Sequence, residues 1–166
     1  MDGAALTRRA LLFGRSPAVA PALRPPWALD GPRFADRCTR CDDCVRACPE
    51  QVLLCGPDGL PGFDPGRGGC TFCGDCAKAC ASGALDLSLD RPWQLKAAVA
   101  QACLPANGIV CASCRDACPE SAIHVPPGAR GAAVVDPDLC TGCGACVEVC
   151  PVSALSLATT PLEVAA

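Results

Sequence analysis

Cys140-Thr141-Gly142-Cys143-Gly144-Ala145-Cys146-Val147-Glu148-Val149-Cys150-Pro151 decides how the rest of the chain is read. Three cysteines spaced every third residue cannot face one point from a regular strand or helix, whereas a tight loop can gather them. The fourth cysteine follows four residues later, just before a proline, and points elsewhere. Thiolates in this order hold a 4Fe-4S cubane, and in the bacterial two-cluster arrangement the fourth cysteine ligates the neighbouring cluster. The motif therefore calls for a second copy of itself.

Three further groups supply one. Cys38, Cys41, Cys44 and Cys48 precede Pro49, and Cys70, Cys73, Cys76 and Cys80 precede Ala81. The third group is irregular. Cys111, Cys114 and Cys118 precede Pro119, but the only candidate first ligand is Cys103, separated from Cys111 by seven residues instead of two. The last cysteines fall at 48, 80, 118 and 150, in steps of 32, 38 and 32 residues, which reads as two tandem pairs. The expected fold is α+β, small and metal-stabilised, made of two tandem two-cluster bacterial ferredoxin-like modules of short hairpins, short helices and cluster loops. The modules are expected at 38–88 and 103–158, joined by a linking helix at 89–102, after a lead segment 1–37 and before a tail 159–166.

Two-cluster logic assigns the fourth ligands across each pair. Cys80 completes the set of Cys38, Cys41 and Cys44, and Cys48 that of Cys70, Cys73 and Cys76. Likewise Cys118 joins Cys140, Cys143 and Cys146, and Cys150 joins Cys103, Cys111 and Cys114. The alternative, in which each group is self-contained, uses the same ligands. The stretched third group leaves the number of 4Fe-4S clusters at four if it closes and at three if that site is lost.

Composition agrees with a metal-held chain. Among 166 residues there are 17 cysteines, 16 glycines and 17 prolines, but only four Phe, two Trp and no Tyr. So thin an organic core needs a staple. A disulfide scaffold does not explain ferredoxin-like spacing, and zinc sites take two separated cysteine pairs rather than three ligands in one loop. Thiolate-bound clusters point to a reducing compartment. The formal net charge is −3, and each cubane with four thiolates adds roughly −2, which disfavours nucleic-acid binding through a basic field. No apolar run approaches the roughly 18 residues of a membrane span.

The lead segment has no cysteine, scattered arginines from Arg8 to Arg37, and Pro17, Pro21, Pro25, Pro26 and Pro32, which oppose regular structure. Thr7-Arg8-Arg9-Ala10-Leu11-Leu12-Phe13 looks like a twin-arginine export signal whose apolar run stops too early, at Gly14-Arg15, so the protein is expected to be retained in the cytoplasm. Arg24-Pro25-Pro26-Trp27 offers either a partner anchor or a Trp packed over the adjoining module. Short strands are expected at 52–55, 84–87, 122–125 and 154–157, with turns at 56–59 and 126–131 returning the chain. Ser88 and Pro92 read as the start of the linking helix carrying Trp93 to Ala100.

Between the ligands, Gly74, Gly142 and Gly144 permit positive φ and let backbone amides approach a cluster. The first loop instead carries Asp42 and Asp43, which are expected to oppose electron addition there. Cys55, left over in an apolar strand, reads as a small buried hydrophobe. His124, flanked by Ile123 and Val125, reads as a partly buried strand residue rather than a base or ligand. With no P-loop and no G-x-G-x-x-G after a strand, the chain is not expected to be an enzyme.

The order of these details resembles the NapF ferredoxin-type proteins of periplasmic nitrate reductase systems. The residues that carry the likeness are Arg8-Arg9, Arg24 to Trp27, Cys38 to Asp42, Cys70 to Cys73, the Trp93 segment, the stretched Cys103 to Cys111 loop and Cys140 to Cys146. The resemblance implies a cytoplasmic accessory protein that contacts the catalytic subunit of periplasmic nitrate reductase and helps its maturation before export, with Arg8, Arg9, Arg24 and Trp27 as candidate partner contacts and no particular electron donor. By position it carries over the ligands of the three regular groups, and the family is described with three clusters. A general electron-transfer ferredoxin, or an electron-entry subunit of an oxidoreductase complex, is the other reading.

Overall fold

The computed structural model describes residues 23–159, and the first of these already depart from the irregular lead expected of a proline-rich segment. Asp30 and Pro32 open a helix, α1 (Gly31–Arg37), whose one apolar side chain in register with the core, Phe34, is completely buried. Ahead of it the chain is extended. Phe63 donates its amide to the Leu23 carbonyl at 2.7 Å, Asp86 to that of Trp27 at 2.8 Å, and Leu29 to that of Ala84 at 3.1 Å. Pro25 and Pro26, which need donate nothing, lie buried between those bonds. Residues 23–37 are thus part of the first core. Arg8, Arg9 and residues 160–166 lie outside the described residues.

The cysteine groups build one local unit four times. A one-turn helix presents the third cysteine: α2 (Asp43–Arg46) carries Cys44, α3 (Asp75–Lys78) Cys76, α4 (Ser113–Asp116) Cys114 and α5 (Ala145–Glu148) Cys146, all four buried. Three residues past each fourth cysteine the chain turns through positive φ, at Gln51, Gly83, Ser121 and Ser153. Each of these amides donates back to that cysteine's carbonyl at 3.2 Å.

Short strands follow the turns. β1 (Leu53–Cys55) and β2 (Pro61–Phe63) form an antiparallel hairpin with Leu53 opposite Phe63. The expected strand at 84–87 is reduced to a single bridge, Ala28 to Leu85. The expected linking helix is absent too. Leu87 to Pro92 form turns and bends, and Leu95–Val99 is a strand, β3, that pairs along five residues with the last strand, β6 (Leu155–Thr159), Leu95 opposite Thr159. A helix of eight residues has little stability of its own in water, where ~12–15 are needed. A full ladder along β6 satisfies the same backbone groups, so the register of an alanine-rich segment is set by its partner. Between them β4 (Ile123–His124) and β5 (Val134–Val135) make a second, shorter hairpin.

Two cores result. One gathers Phe34, Val52, Leu53, Leu60, Phe63 and Leu85 with Cys44 and Cys76, and the other Ile123, Ala133, Ala154 and Leu155 with Cys103, Cys114 and Cys146. Large side chains are few in both, and cysteines of the motifs occupy places that aliphatic residues fill elsewhere.

Candidate metal centres

The fold brings the fourth cysteine of each group to the other loop of its pair. Cys103, Cys111 and Cys114 surround a cavity whose fourth thiol is Cys150, with about 330 Å³ free of atoms, part of it open to solvent. Cys140, Cys143 and Cys146 surround another, of about 310 Å³, whose fourth thiol is Cys118. In the first half the same exchange is felt electrostatically. Burial pushes the Cys44 thiol up to about 11, and neighbouring Cys80, Cys38 and Cys41 push the same way. Burial likewise raises Cys76 to about 12, helped by Cys70, Cys44 and Cys48, and raises Cys70 to about 11, with Cys48, Cys73 and Cys143 beside it.

Such thiols stay protonated unless something positive takes the proton's place. An iron-sulfur core does that, since it binds thiolates and releases their protons. Among the described residues no three His, Cys, Asp or Glu side chains converge tightly enough to hold a single metal ion. The sets instead ring a wider space, as the several irons of a cubane require, and the residues present fit that group.

Backbone amides and hydroxyls point at the sulfurs. Ala122 donates to Cys118 Sγ at 3.3 Å, Ala154 to Cys150 Sγ at 3.2 Å, Phe72 to Cys70 Sγ at 3.4 Å and Ala97 of β3 to Cys140 Sγ at 3.5 Å. Cys80 is the richest. Burial would raise its thiol, but the Ser82 hydroxyl at 3.5 Å and the amides of Leu85, Ala84 and Ser82 outweigh that and hold it below the ordinary range. Hydrogen bonds to sulfur raise a cluster's potential. Ser82 was not singled out from the sequence, although a hydroxyl two residues past a ligating cysteine is a signal, repeated where Ser113 Oγ lies 3.7 Å from Cys111 Sγ.

Three loops share a backbone device that the fourth lacks. The residues on either side of the second cysteine are left-handed in pairs: Arg40 and Asp42, Phe72 and Gly74, Gly142 and Gly144. Glycine takes this conformation freely, but at Arg40, Asp42 and Phe72 it costs about 1–2 kcal/mol. In the irregular loop Ala112 sits at φ −139, and a 3-10 turn, Leu104–Asn107, carries the chain from Cys103 toward Cys111. Asn107 ties that turn with 2.9 Å bonds to the carbonyls of Gln101 and Cys103. The longer loop thus brings its thiols around one cavity by a different path.

Cys55 and His124 depart from expectation. Cys55 is exposed rather than buried, and its thiol lies 2.7 Å from Asp42 Oδ1, which holds it protonated. His124 is exposed on β4. Trp27 packs edge-on against Phe72, with ring centres 6.3 Å apart, and the Arg24 guanidinium lies 5.1 Å from the centre of the Phe34 ring. In this packing Trp27 is half-buried.

Comparison with known proteins bears on the same residues. Residues 37–84 match the 4Fe-4S dicluster domain and 133–156 the 4Fe-4S binding domain. The ferredoxin-type protein NapF of Escherichia coli (strain K12) is 37% identical over 152 residues, covering 90% of this chain and 93% of that protein. The chain belongs to the NapF family of ferredoxin-type proteins. A second member, from Haemophilus influenzae, is 42% identical over 137 residues, which is 81% of this chain and 78% of its own. The methylamine utilization ferredoxin-type protein MauM of Methylorubrum extorquens is 37% identical over 183 residues, 98% of this chain and 82% of that one. As a ferredoxin-type protein with two such domains and 17 cysteines, the chain binds multiple 4Fe-4S clusters. A bound cluster accepts and returns one electron at a time. No helix among the described residues is long and apolar enough to cross a membrane.

Proposed function

We propose that all sixteen cysteines of the four groups ligate four 4Fe-4S clusters, partnered across the loops of each pair in two tandem modules. We further propose that the loaded protein binds the cytoplasmic precursor of the catalytic subunit of periplasmic nitrate reductase and assists its maturation, by cluster loading or redox poising, before export. The observation that carries the cluster count is the cavity closed by Cys103, Cys111, Cys114 and Cys150. It supports a third set despite the stretched loop. The partner rests on likeness to NapF proteins across nine-tenths of the chain. In this reading the first module includes residues 23–37 as well as 38–88, and the second takes in β3 ahead of 103–158. The chain's residues hold, orient and tune; they perform no substrate chemistry.

A specific observation favours a second reading, a general electron carrier. MauM, whose name places it in methylamine utilization, matches nearly the whole chain, so one scaffold serves more than one system. Anaerobic co-purification separates the two. Retention of the nitrate reductase precursor by the full chain, and its loss on deleting residues 1–22 with iron content unchanged, is the expected result. A strain without the protein whose nitrate reductase matures normally would refute the maturation role and leave the carrier. Iron analysis reports the count: about sixteen atoms per chain for four clusters and about twelve for three.

A further inference from the structure

The two halves of the chain meet where two cysteine loops touch. The Cys70 amide donates to the Cys143 carbonyl at 2.7 Å, so ligand loops that are far apart in sequence share a peptide hydrogen bond. Glycines make the approach possible. A Cβ on Gly69 would lie 2.9 Å from the Ala145 Cβ and 3.2 Å from its backbone nitrogen, and one on Gly144 would lie 2.9 Å from Pro65. Trp93 clamps the contact from the side. Its indole N–H donates to the Thr141 carbonyl at 3.0 Å while its ring packs on Phe63 and Phe72, with centres 4.8 and 5.5 Å away.

We propose that this junction joins the second cysteine set to the fourth as an electron bridge, so that the four sets form one row in the order first, second, fourth, third. The proposal rests on the four-cluster reading. Within each half the sets already adjoin, since the one-turn helices of Cys44 and Cys76 pack together, as do those of Cys114 and Cys146. The row is therefore out of sequence order. Across the junction one electron would pass from the cluster that Cys48, Cys70, Cys73 and Cys76 would hold to the one that Cys118, Cys140, Cys143 and Cys146 would hold; the first would be oxidised by one electron and the second reduced by one, with no bond or proton moving. The ultimate reductant is a low-potential one-electron donor, for which dithionite serves in the test. The two ends of the row differ in chemistry. Beside the first set lie Thr39, Asp42 and Asp43, and beside the third lie Ile109 and Val110, the latter 82% exposed. Gly69, Gly144 and Trp93 act as positioning residues, holding the ligand loops rather than touching the reacting centres.

Low-temperature EPR of the full chain, reduced with excess dithionite, reads the bridge without any assay of activity. The wild type is expected to show dipolar interaction across the junction. Gly69→Val, which pushes on Ala145, is expected to lose that part with its iron content unchanged, while Gly31→Ala, with nothing within 4 Å of its Cβ, keeps it. Where Gly69→Val sheds iron, Gly69→Ala is read in the same way. A wild-type spectrum that is the sum of two independent halves overturns the proposal, as does an iron-replete Gly69→Val that keeps the whole interaction. A wild-type iron content near twelve per chain instead refutes the four-cluster reading, and is told apart by the iron count alone.

Discussion

Truncating Phe34 tests whether the lead segment is a structural part of the first half. The ring is 0% exposed and packs with Val52, Leu53, Leu60, Phe63 and Leu85, next to Cys44 and Cys76. Phe→Ala at such a site costs about 3–5 kcal/mol, from lost transfer energy and the cavity left behind. The Arg24 guanidinium also loses its ring, worth roughly 0.5–1 kcal/mol where partly exposed. Against a total stability of about 5–15 kcal/mol that is a large fraction. Unfolding that sheds iron and sulfide is irreversible, so the measurable quantity is a rate. If the packing forms late in folding, 3 kcal/mol speeds unfolding by on the order of 100-fold. The assay follows cluster absorbance and iron release in urea under argon for wild type, Phe34→Ala and Arg24→Ala. Arg24→Ala should unfold only a few-fold faster. A Phe34→Ala protein within about threefold of the wild type would show that residues 23–37 lie on the core without supporting it.

Other outcomes follow from individual contacts. Gly142→Ala places a methyl against the Leu95 carbonyl at a residue with φ +74, so it should strip the fourth loop's cluster or unfold the second half, as metal analysis and circular dichroism would record. Cys103→Ser and Cys150→Ser, if they belong to one set, should each remove about four irons and together still remove about four; a loss of about eight in the double variant means each group ligates its own cluster. Asp42→Asn with Asp43→Asn should raise the midpoint potential of the first set's cluster in a potentiometric titration, because two negative charges beside α2 are removed. An unchanged midpoint sinks that assignment. Iron chelation under reducing conditions should abolish cooperative unfolding, since the cores then retain few large apolar side chains.

The cysteine groups could be read from spacing because a cubane constrains residues only a few positions apart, and in the second half the structure places the last cysteine of each group in the cavity of the other loop. The hairpin at 53–63 was legible for a similar reason: Gly56 to Gly59 forces a local turn. Leu95 to Val99 was not. Leu-Lys-Ala-Ala-Val suits a helix at least as well as a strand, and its structure is fixed by Leu155–Thr159, some sixty residues away. The lead misled through its prolines. Pro25 and Pro26 do prevent regular structure, but an extended chain whose neighbours satisfy its amides can be ordered without any. The left-handed Arg40 and Phe72 carry no sequence signal, and Asp42 only the weak one that aspartate shares with asparagine.

If, as proposed, the last cysteine of each group completes a set begun on the other loop, timing during synthesis matters. A ribosome that has released Cys38, Cys41 and Cys44 has made a three-toothed comb, and the missing tooth, Cys80, follows only after a further few seconds of translation at roughly 5–20 residues per second. The chain's final motif cysteine, Cys150, closes a set opened almost fifty residues earlier at Cys103. A nascent chain thus spends its early life with open, thirsty thiols, and a messenger truncated just short of Cys150 yields a product whose defect lies in a loop that was translated intact.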